Sequence, residues 1–277
     1  FRPANSAAIH AYSKPENYSQ SIALNRLAMN LGFTVGPMLG GFLAHKSYSF
    51  LFWTDGLTCI LAAVFLRFLL PVKSDLNKSN EQPEKSKEKS PYYDKNYLYF
   101  LLFTSLYAIC FFQLITAFPL YFKQEYHLSE QHIGLMMALN GVGVAVIEMF
   151  LIFYIKDKWT QFNFISLGII LLIVSFLILI PFHSIYILII SVLVLTLSEM
   201  LAMPFMSTYS LLQAKDKNMG DYMALYAMSW SLALIIAPLV GTQIINHFGF
   251  SMLWVFVSVL GFVSLVGIYK LGQKQQA

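Results

Sequence analysis

The sequence predicts an all-α, polytopic membrane protein whose helices are bundled side by side across a bilayer. Three observations lead there. Hydrophobic residues make up 57% of the 277-residue chain and charged residues only 12%, against roughly 45–50% and about 25% in soluble domains. Eight stretches are long and apolar enough to cross the hydrocarbon core as helices. The alternation of apolar and polar residues that marks a membrane barrel is absent, and an open sheet would leave backbone groups unpaired in lipid.

In chain order the expected spans are 23–45, 49–71, 97–122, 132–155, 162–181, 184–211, 222–246 and 250–271. Between the second and third, residues 73–96 read KSDLNKSNEQPEKSKEKSPYYDKN. That run is polar, charge-rich and low in complexity, so it is read as a solvated linker. Lysine and arginine set the orientation. If the linker is cytoplasmic, so are 1–22, 156–161, 212–221 and the tail from Lys270, and sixteen of the eighteen basic residues fall in cytoplasmic segments or at cytoplasmic helix ends. Only Lys46 and Lys123 fall outside, so the C-terminus is expected inside. The chain opens on Phe1-Arg2-Pro3, with no signal-peptide pattern, and reads as the middle of a longer protein.

Several function classes are disfavoured. The net charge of +4 is small and its basic residues sit between apolar runs, which does not suggest nucleic acid. Cys59 and Cys110 lie within apolar stretches without metal-like spacing. There is no His-x4-Asp pair and no Ser-His-Asp set at one membrane depth, so neither an enzyme such as a membrane acyltransferase nor a cofactor is expected. Five of the six histidines, all but His10, fall in or beside external loops, and His127 and His132 are read there as solvated surface side chains.

Residues 1–56 overlay 202–257 without a gap at a shift of 201. Pro3 falls on Pro204, Lys14 on Lys215, Asn17 on Asn218, Pro37 on Pro238, Gly40 on Gly241 and Trp53 on Trp254. Shared prolines, a tryptophan and a loop Lys–Asn pair in one register point to an internal repeat. The counterpart of the third span would then lie about 100 residues before Phe1, a length that holds about four further spans. The expected whole is two parallel six-helix halves, eight of whose twelve helices are in this chain. Residues 1–72 would end the N-terminal half, 73–96 would be the linker, and 97–277 the complete C-terminal half.

The span 23–45 contains Gly32-Phe-Thr-Val-Gly36-Pro37-Met-Leu-Gly40-Gly41. Glycines four apart let helix backbones approach closely, and Pro37 frees a backbone carbonyl and bends the helix. With the repeat and the linker, this string resembles the antiporter motif of the major facilitator superfamily, where it lies on the fifth helix. The stretches RPANSAAI at the start, FWTDG at 52–56, ALNGVGVAVIEM at 138–149, SEMLAMPF at 198–205 and MGDYMALYAMSWSLALIIAPLVG at 219–241 look like a bacterial multidrug-efflux branch of that family. The loop Lys156-Asp157-Lys158-Trp159 departs from it, lacking the glycines and arginines usual between the eighth and ninth helices.

Ionisable residues inside spans are costly and functional by default. Glu199 lies near the middle of its span, Glu148 nearer the cytoplasmic end of its own, and Asp55 near the outer surface. A desolvated carboxyl favours its neutral, protonated form, which makes these three the candidates for proton coupling. The resemblance implies that 97–122 and 184–211 line a central cavity. Tyr107, Gln113, Asn140 and Trp230 are then candidate substrate contacts, and Gly32, Gly36, Pro37, Gly40 and Gly41 an interface with a helix of the other half. It further implies proton-coupled efflux of small amphipathic molecules by alternating access, in the bacterial inner membrane, by a protein monomeric when full length. Its implied partners are a small-molecule substrate, protons and lipid. Uptake or facilitated diffusion of a metabolite is the alternative within the family. A non-transporting fragment is the alternative outside it.

Overall fold

The computed structural model describes residues 18–69, 91–155, 158–213 and 219–276, and every regular element in them is helical. The elements are α1 (Tyr18–Lys46), α2 (Tyr48–Leu69), a 3-10 turn (Pro91–Tyr93), α3 (Lys95–Phe111), α4 (Gln113–Gln124), α5 (Glu130–Ile155), α6 (Gln161–Leu177), α7 (Ile185–Gln213) and α8 (Met219–Gln276). The helix α8 is two rods joined at Gly249, whose φ of 80° is on the side of the backbone map that glycine adopts without a Cβ clash. That reversal falls between the expected spans 222–246 and 250–271. The linker residues up to 90, and Lys156 and Asp157, lie outside the described residues.

By length and composition alone, five helices among the described residues could cross a membrane: Tyr48–Leu69, Lys95–Gln124, Glu130–Glu148, Ile185–Gln213 and Gly220–Lys274, the last holding both rods of α8. Two expected spans differ in detail. The helix α6 stops at Leu177, short of the expected 181. The helix α1 starts earlier than expected and carries Ser19, Gln20, Asn25 and Arg26 in its first turns, so it is long without being uniformly apolar.

The described residues fall into two compact units, those within 1–86 with 130–145, and those within 87–129 with 146–277. In the first unit, α1 packs on the start of α5 through small residues. A Cβ on Gly41 would collide with the Glu130 carbonyl oxygen and stand 3.0 Å from the Gly134 Cα. One on Gly134 would stand 2.5 Å from the Pro37 carbonyl oxygen, and one on Gly141 2.7 Å from the Thr34 Cα. Backbone meets backbone here, which is how helices associate when lipid removes the usual hydrophobic drive. Only part of the glycine string takes part. Gly40 faces Leu51 of α2 at an ordinary 3.7 Å, and Gly32 and Gly36 face open space. No residue of α2 is buried.

In the second unit α3 packs chiefly on α8, and α6 on both α7 and α8. Asp94 starts α3 by accepting the Tyr97 N–H at 3.0 Å, and Thr160 starts α6 in the same way. Aromatic rings then fill the unit along its length. Near Asp94, Tyr97 meets Tyr222 at 4.6 Å and Phe100 meets Tyr209 at 4.4 Å between centroids. At the opposite end Trp254, 1% exposed, is walled by Phe118, Tyr121 and Phe176 at 5.2–5.5 Å. Each such pair adds about 0.5–1.5 kcal/mol beyond area burial. Glycines admit the helices between: Gly168 of α6 lies against Ala202 and the Ser198 carbonyl of α7, and Gly261 of α8 against Leu172 and Ile173.

The expected span 97–122 falls within one candidate span, Lys95–Gln124, whose helix is interrupted at the single residue Phe112. The buried Gln113 side chain sits at the interruption. Its Nε2 donates to the Ile109 carbonyl at 3.3 Å, the acceptor that the Gln113 backbone N–H would use in an unbroken helix.

The packing yields a contrast inside one motif. Gly41→Ala and Gly141→Ala should each destabilise the chain by about 1–3 kcal/mol, read as a lowered unfolding midpoint in lipid nanodiscs. Gly32→Ala and Gly36→Ala should leave the midpoint unchanged.

Candidate functional site

The second unit gathers its chemistry halfway along α3, α7 and the first rod of α8. Tyr107 of α3 is fully buried, and its hydroxyl shares a 3.2 Å hydrogen bond with the Ser198 hydroxyl of α7. Glu199 follows Ser198 directly and is half-buried. Gly168 lets α6 press against the Ser198 carbonyl, which fixes this part of α7. One turn before Tyr107, the buried Thr104 hydroxyl has no protein partner among the described residues.

Beside the Tyr107–Ser198 pair stands Trp230, boxed by aromatic rings. Phe112 meets it edge-on at 5.8 Å and 89°, Tyr226 at 6.2 Å, Tyr107 at 6.3 Å and Phe111 at 6.4 Å. The spacing is helical: Tyr107 and Phe111, like Tyr226 and Trp230, are four apart and share a face. The Trp230 indole N–H is enclosed without a protein acceptor among the described residues. Such a group is a donor awaiting a hydrogen-bond acceptor.

The sequence-derived candidates divide among three settings. Tyr107, Glu199 and Trp230 come together as described. Gln113 is buried nearby but spent on structure: its Nε2 also donates to the Ala237 carbonyl at 3.1 Å, and its Oε1 accepts from Thr116 at 3.2 Å. A Cβ on Gly241 would stand 2.6 Å from that Oε1. Asn140 and Glu148 are both half-buried on α5, Asn140 within the first unit and Glu148 within the second. Asp55 is exposed on α2, its backbone carbonyl accepting from the Thr58 hydroxyl at 2.9 Å. No group of His, Cys, Asp and Glu among the described residues could hold a metal.

Sequence reasoning did not assign roles to Ser198, Phe111, Phe112 and Tyr226. The four-residue spacings of the aromatic pairs were the available signal; the Ser198 partnership depends on α3 and α7 meeting at one height.

The family model of the major facilitator superfamily matches residues 1–209 and again 100–276, so that its two matches together span nearly the whole chain. The chain belongs to the major facilitator superfamily. Its family and fold are those of secondary membrane transporters. No curated protein matches the sequence. Among solved structures, a peptide transporter POT, in a crystal structure of its E310Q mutant, superimposes with a TM-score of 0.65 at 14% identity over 97% of this chain and 71% of that one. A POT family transporter in complex with 5-aminolevulinic acid gives 0.70 at 11% identity over 99% and 73%. A bacterial homologue of the iron transporter ferroportin, in an inward-facing state, gives 0.69 at 17% identity over 96% and 66%. At these identities the likeness is one of fold.

The Tyr107–Ser198 bond should register as a coupling energy. In a double-mutant cycle of Tyr107→Phe and Ser198→Ala, measured by reversible unfolding in lipid, the two changes should couple by about 0.6 kcal/mol and by no more than about 1.7 kcal/mol.

Proposed function

We propose that this superfamily member performs proton-coupled export of small amphipathic molecules, with Glu199 as the group that takes and releases the proton. The observation that carries this is the setting of Glu199. An acid lies mid-helix in α7, next in sequence to the serine of a buried tyrosine–serine pair, and that tyrosine borders an aromatic box whose indole N–H has no protein acceptor among the described residues. Acids at membrane depth are retained for function, and aromatic faces bind apolar and cationic bodies.

In this scheme the Glu199 carboxylate accepts a proton from the outer side and becomes neutral. Alternate opening of two halves then exposes it to the cytoplasm, where it gives the proton up. Substrate occupies the aromatic box in the opposite phase and leaves outward. The membrane potential contributes about 2.3 kcal/mol per charge per 100 mV to each net charge moved inward. Tyr107 and Trp230 contact substrate, with Asn140 as a further cavity residue. Gln113 holds the break in the α3–α4 span. Glu148 and Asp55 are secondary proton sites, and Gly41 and Pro37 are the working residues of the interhelix motif. Residues 1–72 end one half, 73–96 link the halves, and 97–277 make the other; the doubled family match supports that duplication. In this reading the protein lies in a bacterial inner membrane, monomeric when full length, with its C-terminus cytoplasmic.

Uptake of a peptide or other metabolite is the second reading, supported by the fold shared with POT transporters. Proteoliposomes distinguish them. With the chain expressed together with whatever its gene encodes upstream of Phe1, an imposed pH gradient should drive the aromatic cation ethidium out against its gradient. Glu199→Gln should abolish that dependence while leaving exchange of ethidium across the membrane. Gradient-driven export that persists in Glu199→Gln would remove Glu199 from the mechanism, and accumulation of a dipeptide instead of ethidium would favour uptake.

The same scheme predicts that residues 1–277 alone do not transport, because the eight helices carry only part of a two-sided cavity. Dye flux through liposomes bearing this chain should equal that of empty liposomes.

A further inference from the structure

Within the second unit, α3 and the second rod of α8 lie side by side and run in opposite directions. Three contacts fix their register. The Ser264 hydroxyl donates to the Phe103 carbonyl at 2.8 Å, a Cβ on Gly267 would collide with the Phe103 ring, and the Lys274 ammonium donates to the Asn96 side-chain oxygen at 3.2 Å. The rod has neighbours on two sides. Ser264 and Gly267 face α3, while Gly261 and Gly272 face Ile173 and Phe162 of α6.

The remaining side of the rod carries Val259, Val263, Val266 and Lys270, all exposed and spaced by three or four. The exposed stripe of α3 is Lys95, Leu98, Tyr99 and Leu102. With the axes antiparallel and about 3.6 residues per turn, both stripes fall on the same side of the seam between the two helices. They form the walls of one shallow groove.

That groove is apolar along its length and cationic at one end. Lys95 adjoins Asn96, the partner of Lys274, and Lys270 precedes Lys274 by one turn. All three lysines are exposed. Tyr99 and Tyr269 are exposed beside them, the residue type that settles between headgroups and acyl chains. Neither stripe contains an acid. Asp94 is the acid next in sequence, and both its oxygens are engaged on the flank of α3 that meets the first rod of α8. One accepts from the Tyr97 N–H at 3.0 Å and the other from the Tyr222 hydroxyl at 3.3 Å.

Like charges gathered at one end of a groove repel unless an anion lies among them. Each ammonium has three donors, and Asn96 occupies one of those on Lys274. An anion above and hydrocarbon below is the chemistry of a phospholipid, and basic pockets between membrane helices take anionic headgroups. We propose that Lys95, Lys270 and Lys274 hold the phosphate of one anionic phospholipid, whose acyl chains lie along Leu102, Val263 and Val266 in the seam between α3 and α8. No bond forms or breaks. The site does not depend on the transport reading, nor on which leaflet this end of the bundle meets.

Photolabelling tests this in the chain expressed with its upstream sequence and held in phosphatidylcholine nanodiscs. A phosphatidylglycerol with a diazirine on one acyl chain is mixed in, irradiated, and its adducts are mapped by peptide mass spectrometry. Adducts should concentrate on residues 98–102 and 259–270, whereas the matching phosphatidylcholine probe should label these no more than other exposed stripes. Each of Lys95→Gln, Lys270→Gln and Lys274→Gln should raise the half-saturating fraction of the anionic probe about fivefold. Lys158→Gln, which precedes α6, and the triple Lys→Arg variant should leave it unchanged. The adduct map needs no variant, so it decides the matter even where a substitution impairs folding. Adducts spread evenly over the exposed helices overturn the proposal, as does equal labelling of the groove by both probes. Half-saturation that ignores all three Lys→Gln changes overturns it too. Displacement by glycerol 3-phosphate as readily as by unlabelled phosphatidylglycerol would give the lysines to a water-borne anion and remove the lipid.

Discussion

Lipid offers a peptide group nothing to bond with, and the architecture follows from that single deprivation. Every described element closes its own backbone ladder as a helix. At the interruption at Phe112 the Gln113 side chain donates to the Ile109 carbonyl, and hydroxyls add bonds inside the helices, Thr116 to the Phe112 carbonyl at 2.9 Å and Thr242 to the Pro238 carbonyl at 2.7 Å. With the hydrophobic effect unavailable between helices, closeness has to come from the absence of side chains. Gly41, Gly134 and Gly141 supply it in one unit, Gly168 and Gly261 in the other.

The helices themselves were legible because a span's length and apolarity are properties of contiguous sequence. Gly249 falls at the expected boundary between the last two spans, since only glycine takes that backbone conformation without strain. The break at Phe112 was not legible. At that point the Gln113 amide donates to the Ile109 carbonyl and to the Ala237 carbonyl of α8, a tertiary partnership that local propensity does not reveal.

The candidate site was legible in part, and the division has a physical cause. Glu199 and Trp230 stand out because a charge or an indole in a span is rare whatever surrounds it. Ser198, Phe111 and Phe112 are ordinary membrane residues, and only the meeting of three helices at one height distinguishes them. Gln113 shows the converse. A polar residue in a lining span looked like a ligand contact, but its amide is held by the Ile109 and Ala237 carbonyls and its oxygen by Thr116. The glycine string likewise looked uniform and is not, because a helix presents only some of its residues to any one neighbour.

The helix α2 has no buried residue, and Phe52, Trp53 and Phe68 are each more than 70% exposed. Its covering must therefore be recruited from its surroundings, acyl chains or other polypeptide, from the moment it leaves the ribosome. Surfactant choice during extraction would act on this rod first, since a micelle that coats it thinly leaves three large aromatic rings to find each other on separate molecules.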